Sequence, residues 1–171
     1  SFDIMRTKIV HQANAKNAKR LVVTSPSPAC GKTTTITNLA FSLARQPDIK
    51  TVLVDVDLRR PTLGSVLGVQ MPLQFSEALA RRAPLEEHML LIGDNLLVGT
   101  NAVPAQQPSE LLQSKSARET IEEIERRYQP DFLLFDALPV LTSDDTIGVL
   151  ENCDAAIIVA AAEHSSIEEI D

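Results

Sequence analysis

The sequence predicts an α/β fold: a doubly wound, mostly parallel sheet carrying a phosphate-binding loop. Three observations predict it. Short apolar, β-branched runs alternate with amphipathic helical stretches along the chain, the order that builds parallel sheets with right-handed crossovers. The first run, Leu21-Val22-Val23-Thr24, passes through a turn rich in Pro and Ser into Gly31-Lys32-Thr33 and then a helix. Two later runs end in carboxylates, Asp55 with Asp57 after Val52-Leu53-Val54, and Asp136 after Phe132-Leu133-Leu134-Phe135.

Taken in order, residues 1–17 read as a helix and linker, with Phe2, Met5 and Ile9 on one face and a basic cast from Arg6, Lys8, Lys16 and Lys19. That segment suits either a solvated helix on the domain edge or a contact to another subunit. The strand at residues 21–24 precedes a helix whose Ile36, Leu39, Ala40 and Leu43 share a face. A second buried strand runs through Thr51-Val52-Leu53-Val54. Residues 62–91 read as short helices and connections, with Ser76 to Arg81 helical, and Leu96 to Val98 as a short strand. After a Pro-bearing loop a helix begins at Ser109. Ser116-Ala117-Arg118-Glu119 has capping-box form and predicts the start of the next helix, with Ala117, Ile121, Ile124 and Tyr128 facing the core. Phe132 to Asp136 is a buried strand, stopped by Pro139. Ser143-Asp144-Asp145 predicts a helix cap, and Ala155 to Ala162 a last buried strand. The chain stops inside an acidic helix start, Ser165 to Asp171, as expected of an excised or incomplete domain.

Composition bounds the function. The 171 residues suffice for a single domain spanning 1–171. At 44% hydrophobic and 23% charged residues, the chain has a soluble globular composition. The net charge, 16 − 23 = −7, argues against a nucleic-acid surface. The longest apolar run, Ala155 to Ala162, is too short to cross a bilayer as a helix. Cys30 and Cys153 lack metal-ligand spacing, and His11, His88 and His164 are scattered.

The chemistry gathers at the loop. A helix N-terminus offers unpaired N–H groups and a partial positive charge, so it holds phosphate. Ser27, Pro28, Ala29, Cys30, Gly31, Lys32, Thr33 and Thr34 are the candidate nucleotide-binding residues. Gly31 lets the backbone approach phosphate oxygens. Lys32 supplies a mobile charge for the β- and γ-phosphates, and the Thr33 hydroxyl is placed for Mg²⁺. The consensus glycines are missing at Pro26 and Ala29. Asp55 and Asp57, two residues apart on a strand, project to one face at its C-terminal end, where open α/β sheets bind ligands. There they can hold Mg²⁺ through water, and one can accept a proton. Asp136 is placed as the further carboxylate that assists the metal. Cys30, beside Lys32 and a helix N-terminus, is expected to be more thiolate-like than a buried cysteine.

Together, Thr24 to Pro28 with Gly31-Lys32-Thr33, Asp55-Val56-Asp57-Leu58-Arg59-Arg60-Pro61, Pro108-Ser109-Glu110-Leu111-Leu112 and Phe135-Asp136-Ala137-Leu138-Pro139 resemble the ATP-binding domain of the bacterial tyrosine kinases of capsule and exopolysaccharide synthesis. The Asp-x-Asp-x-Arg-x-Pro element is the family's Walker A′ motif and the most specific part of the resemblance. The resemblance implies a protein-tyrosine autokinase using ATP, with ADP as its product, and Mg²⁺. Lys32 and Thr33 would bind phosphate and metal, Arg59 would join the nucleotide contacts, Asp55 would accept the proton, and Asp57 and Asp136 would support the metal. It also implies a membrane-spanning activator that regulates polymer chain length and export, the option of a homo-oligomer, and a cytoplasmic place at the inner face of the plasma membrane through that partner. The chain departs from the pattern at Ala29, Cys30 and Leu138, where the family has Gly, Glu and Pro. The family's ring-forming Glu-x-x-Arg-x-x-Arg would end at Arg6, with Asp3 in place of the middle Arg. Tyr128 is the single tyrosine, so acceptor tyrosines are expected beyond Asp171 or on a partner. Two other readings compete. A non-catalytic nucleotide-binding regulator of the polysaccharide machinery fits the departures. A partitioning or site-selection ATPase would need a signature lysine where Ser27 stands.

Overall fold

Parallel strands covered on both faces read as unbroken apolar runs. Three such runs form the centre of the sheet: β1 (Arg20–Thr24), β2 (Thr51–Asp55) and β5 (Phe132–Asp136), the last two buried along their whole length. The structure is a computed structural model and describes residues 2–27, 31–139 and 144–160. Its remaining strands are β3 (Met89–Ile92), β4 (Leu96–Gly99) and β6 (Ala155–Ile158). The order across the sheet is β3-β4-β2-β5-β1-β6. All neighbours pair parallel except β3 with β4, an antiparallel hairpin at one edge.

The period-two alternation of strand side chains divides the interior into two cores. Val22, Val52, Val54, Leu133 and Phe135 face one side, with Phe75, Leu79, Ile121 and Ile124 packed there. Those last four come from α4 (Phe75–Leu79) and α6 (Lys115–Tyr128). Leu21, Val23, Leu53, Phe132 and Leu134 face the other side. The predicted stripe Ile36, Leu39, Ala40 and Leu43 of α2 (Lys32–Ala44) fills that second core. The N-terminal helix α1 (Phe2–Ala15) lies against α2, with Met5 and Ile9 half-buried on that core and Phe2 left 40% exposed.

Register places the functional ends. Asp136 pairs with Asp55 on β2 and with Val23 on β1, so the β5 carboxylate lies between the first strand and the Asp-x-Asp strand. Both carboxylates are at the C-terminal edge, where a ligand crevice belongs.

Several elements differ from the sequence expectation. Residues 89–91 were expected to be part of the connections, yet with Ile92 they form the edge strand β3, bonded to β4 after a 3₁₀ turn at Leu85–His88. The α6 cap is Ser114, not Ser116: the Ser114 hydroxyl accepts from the Ala117 N–H at 3.1 Å and donates to the Leu111 carbonyl at 2.6 Å. The last strand is not buried. Its residues alternate between half-buried and exposed, with Ile158 47% exposed, because β6 has a strand neighbour on one side alone among the described residues. At α7 (Asp145–Leu150), Asp144 makes no side-chain cap bond, and Asp145 turns elsewhere; Ser143 lies outside the described residues.

Candidate functional site

The site is built from four segments that meet at the C-terminal edge of β1, β2 and β5. Gly31 occupies the cap position of α2 with φ 75° and ψ 24°. That left-handed conformation suits a residue without Cβ, and space for a Cβ is not the constraint, since nothing lies within 4 Å of one. Ser25 donates its hydroxyl to the Ser27 carbonyl at 2.8 Å and holds the turn before the loop. Pro28, Ala29 and Cys30 lie outside the described residues. Thr34 is exposed on the first turn of α2, its carbonyl accepting from Asn38 at 3.0 Å.

Lys32 leaves the start of α2 and points inward, 8% exposed. Its Nζ pairs with Asp136 Oδ1 and stands 3.9 Å from Asp57 Oδ2. The Thr33 hydroxyl donates to Asp136 Oδ2 at 3.0 Å. One cation therefore faces two buried carboxylates, with a third, Asp55, paired beside Asp136 in the sheet. Asp55 and Asp136 are fully buried and Asp57 is 6% exposed. Burial pushes all three carboxyl groups above the usual carboxylate range, Asp55 furthest. For Asp55 the negative charges of Asp136 and Asp57 add to the rise. Lys32 pulls Asp57 and Asp136 back down.

Backbone amides hold the acidic pair. Asp55 accepts from the N–H groups of Asp57 at 3.0 Å and Leu63 at 3.3 Å. Asp57 accepts from the Arg60 N–H at 3.1 Å. Asn101, just after β4, donates to the Asp55 carbonyl at 2.9 Å and accepts from the Ser76 N–H at 2.8 Å, which fixes the end of β2. Leu138, where the resemblance expects proline, is buried; its carbonyl accepts the hydroxyls of Thr24 at 2.6 Å and Thr146 at 2.9 Å. Two side-chain donors thus fasten the segment after Asp136 to β1 and to α7.

Arg59 lies at the rim. Its guanidinium forks onto Asp145, Nε to Oδ2 at 2.7 Å and Nη2 to Oδ1 at 3.2 Å, and Ser109 also donates to Asp145. The fork fixes the guanidinium at the rim through Nε and Nη2. Asp145, 1% exposed, joins the Asp-x-Asp loop to the starts of α5 (Pro108–Leu112) and α7. Sequence reasoning took Asp145 for part of a helix cap and passed over Thr62 and Asn101, since nothing in their local pattern points to partners so far along the chain.

The oxygen donors here suit a hard cation: one hydroxyl and the carboxylates, with no sulfur or imidazole beside them among the described residues. Among the described residues no three acidic, His or Cys groups stand together to hold a metal alone. Mg²⁺ ordinarily keeps waters and shares its shell with substrate phosphates, so it needs no all-protein cage.

Known proteins share this fold. The ParA family, described as NUBPL iron-transfer P-loop NTPase, matches residues 16–171. The tyrosine-protein kinase CpsD of Streptococcus pneumoniae serotype 4 is 30% identical over 161 residues, 93% of this chain and 70% of the relative. The chain belongs to the bacterial tyrosine-protein kinases, within the P-loop NTPases. Another member of the kinase family, YwqD of Bacillus subtilis, is 28% identical over 169 residues, 98% of this chain and 70% of its own. The kinase domain of the Escherichia coli tyrosine kinase ETK superposes with a TM-score of 0.89 at 26% identity, over 99% of this chain and 66% of that one. A more distant neighbour, the septum site-determining protein MinD of Pyrococcus horikoshii complexed with Mg-ADP, gives a TM-score of 0.67 at 26% identity over 82% and 57% of the two chains. Membership in this kinase family carries nucleotide binding with it. No helix among the described residues is long and apolar enough to cross a membrane.

Proposed function

We propose that the chain is the ATP-binding catalytic domain of a protein-tyrosine autokinase that regulates capsular or exopolysaccharide synthesis and export. The observation that carries the reading is the buried cluster of Lys32, Thr33, Asp57 and Asp136 at the N-terminus of α2. A charged lysine held on carboxylates at a phosphate-binding helix start is poised to exchange one anion for another. Lys32 leaves Asp136 for the β- and γ-phosphates, and the freed carboxylate turns to the metal. Gly31 and the first N–H groups of α2 bind the phosphate oxygens. Mg²⁺, when bound, neutralises charge building on the transferred phosphoryl group. Thr33 and Asp136 are the residues that would hold it, with Asp57 and Asp55 behind them.

Asp55 suits the proton acceptor because burial and its acidic neighbours raise its proton affinity. To serve, it exchanges one of its backbone contacts for the tyrosine hydroxyl. The acceptor is not Tyr128, which is half-buried against the core at the far end of α6, and whose own hydroxyl burial makes harder to ionise. It lies on another segment or on a partner, and the names of the relatives favour the capsule machinery. A membrane-spanning activator and self-association belong to the same proposal. Arg6, the last position of the ring motif, is spent within the chain, donating to the Ser42 carbonyl at 3.1 Å.

The test is incubation of the full-length protein, acceptor tyrosines included, with γ-labelled ATP and Mg²⁺, with and without a membrane-spanning activator of the polysaccharide machinery. The reading requires label on tyrosine that Lys32→Met abolishes. Nucleotide bound with no label under either condition would favour the regulator reading.

A further inference from the structure

Thr62 stands at the cap position of α3 (Leu63–Leu67), where threonine ordinarily turns its hydroxyl onto the first helical N–H groups. Here it makes no cap bond. The Leu63 N–H goes instead to Asp55 Oδ2 at 3.3 Å. The Thr62 hydroxyl is left free to face the site, and it lies 3.2 Å from Thr33 Oγ1.

Counting donors settles the direction of that contact. A threonine hydroxyl has one proton and two lone pairs. Thr33 gives its proton to Asp136 Oδ2 at 3.0 Å. The Thr62 O–H is therefore the donor to Thr33, and it occupies one of the two lone pairs, which leaves the other for a cation bound at Thr33. With the Thr33 proton on Asp136 and one lone pair on Thr62, the direction of the remaining lone pair is set. The hydroxyl stays beside the site because the chain on both sides of it is fixed, by the Arg60 N–H on Asp57 and the Leu63 N–H on Asp55. Thr62 is exposed, so the hydration shell of an incoming ligand reaches it.

We infer that Thr62 is a positioning residue for the Mg²⁺-nucleotide: its O–H donates to Thr33 and orients the Thr33 lone pair that would meet the metal. The inference rests on the kinase reading and adds to it a residue outside the loop, the acidic pair and the β5 carboxylate. It also gives Asp55 a second duty: by taking the helix N–H, it frees Thr62 for Thr33. Lys32, Thr33, Asp55, Asp57 and Asp136 all have partners within the chain, so metal and nucleotide would enter by exchange of hydrogen bonds.

The experiment is calorimetric titration of the chain with ADP, in EDTA and in saturating Mg²⁺, for wild type, Thr62→Val and Thr62→Ser. Partners outside a metal's own ligands change its affinity by about tenfold or more. Thr62→Val should keep the ADP affinity seen in EDTA and lose roughly tenfold of the affinity that Mg²⁺ adds. Thr62→Ser should restore it. An undiminished Mg²⁺ gain in Thr62→Val overturns the inference. So does an equal loss of ADP affinity with and without Mg²⁺, which marks a structural role. If wild type itself gains nothing from Mg²⁺, the metal reading beneath it fails, and that outcome is distinct from the first two.

Discussion

Replacing Lys32 with methionine tests the site through stability as well as binding. Methionine keeps most of the side-chain length and removes the charge. At 3.9 Å from Asp57 and an effective dielectric of about 20, the attraction alone is worth about 4 kcal/mol before desolvation. The contact to Asp136 is closer still, and Asp136 is fully buried. Removing one partner of a buried pair costs about 3–5 kcal/mol, because a charge is left without compensation. The carboxylate can escape part of that cost by taking a proton. Asp136 already binds its proton more tightly than a free carboxylate, through burial, and Lys32 opposes that rise. Without Lys32 the folded-state value climbs further. A group with a raised folded value binds more protons folded than unfolded, so stability falls as pH rises from the usual carboxylate value through the folded one. In Lys32→Met that window extends to higher pH. The variant should thus be destabilised by about 3–5 kcal/mol near pH 8 and by clearly less near pH 5. Urea unfolding at both pH values measures it. A destabilisation independent of pH, or greater at pH 5, refutes the reasoning. In the same variant ATP binding should weaken about tenfold or more, one charge-assisted contact being worth about 1.5–3 kcal/mol; unchanged affinity by calorimetry removes Lys32 from the site.

Three further predictions follow from the same geometry. In Asp55→Asn, tyrosine phosphorylation should be lost, and stability relative to wild type should improve from pH 5 to pH 8, since the variant lacks a buried group whose ionisation is costly; matched pH curves in urea unfolding would count against this. Arg59→Ala should leave ADP affinity in EDTA unchanged, because its guanidinium is committed to Asp145; a tenfold loss in calorimetry would place it on the nucleotide. Cys153 is mostly buried and its thiol is pushed up to about 12, so iodoacetamide at pH 8 should leave it unlabelled until the chain unfolds. Native labelling, read by mass spectrometry, then falls on Cys30 and should be suppressed by ATP with Mg²⁺; labelling of Cys153 at the rate of Cys30 contradicts this.

The centre of the fold was legible because its strands announce themselves. Leu21 to Val23, Val52 to Val54 and Phe132 to Phe135 are apolar on both faces, and each meets a break that marks the C-terminal edge. The carboxylates at those breaks followed directly. Edges were less legible for a physical reason. Met89 to Ile92 is a four-residue run whose strand character comes from pairing with Leu96 to Gly99, a contact that local pattern does not contain. Ala155 to Ile158 has the composition of a buried strand and, among the described residues, the exposure of an edge, since composition does not report which strands pair beside it. Ser116 satisfies the capping-box spacing, but Ser114 also bonds Leu111, a link to the preceding helix that decides the boundary. At the site, the residue types and the strand ends were readable, while burial was not. Asp55, read as projecting into a ligand crevice, proves fully enclosed and committed to two amides, so Asp55→Asn alters a buried group. Thr62 went unnoticed, and Asp145 was read as part of a helix cap, because their partners, Thr33 and Arg59, are brought to them by the crossovers of the sheet.

The central claim is that Lys32 exchanges Asp136 for the terminal phosphates of ATP at the start of α2. A crystal structure of the chain with a non-hydrolysable ATP analogue and Mg²⁺ tests it most directly. The account predicts phosphates over Gly31 and the first turn of α2, Lys32 Nζ moved from Asp136 onto phosphate oxygen, and a metal beside Thr33. A nucleotide bound elsewhere, or bound here with Lys32 still on Asp136, would contradict it.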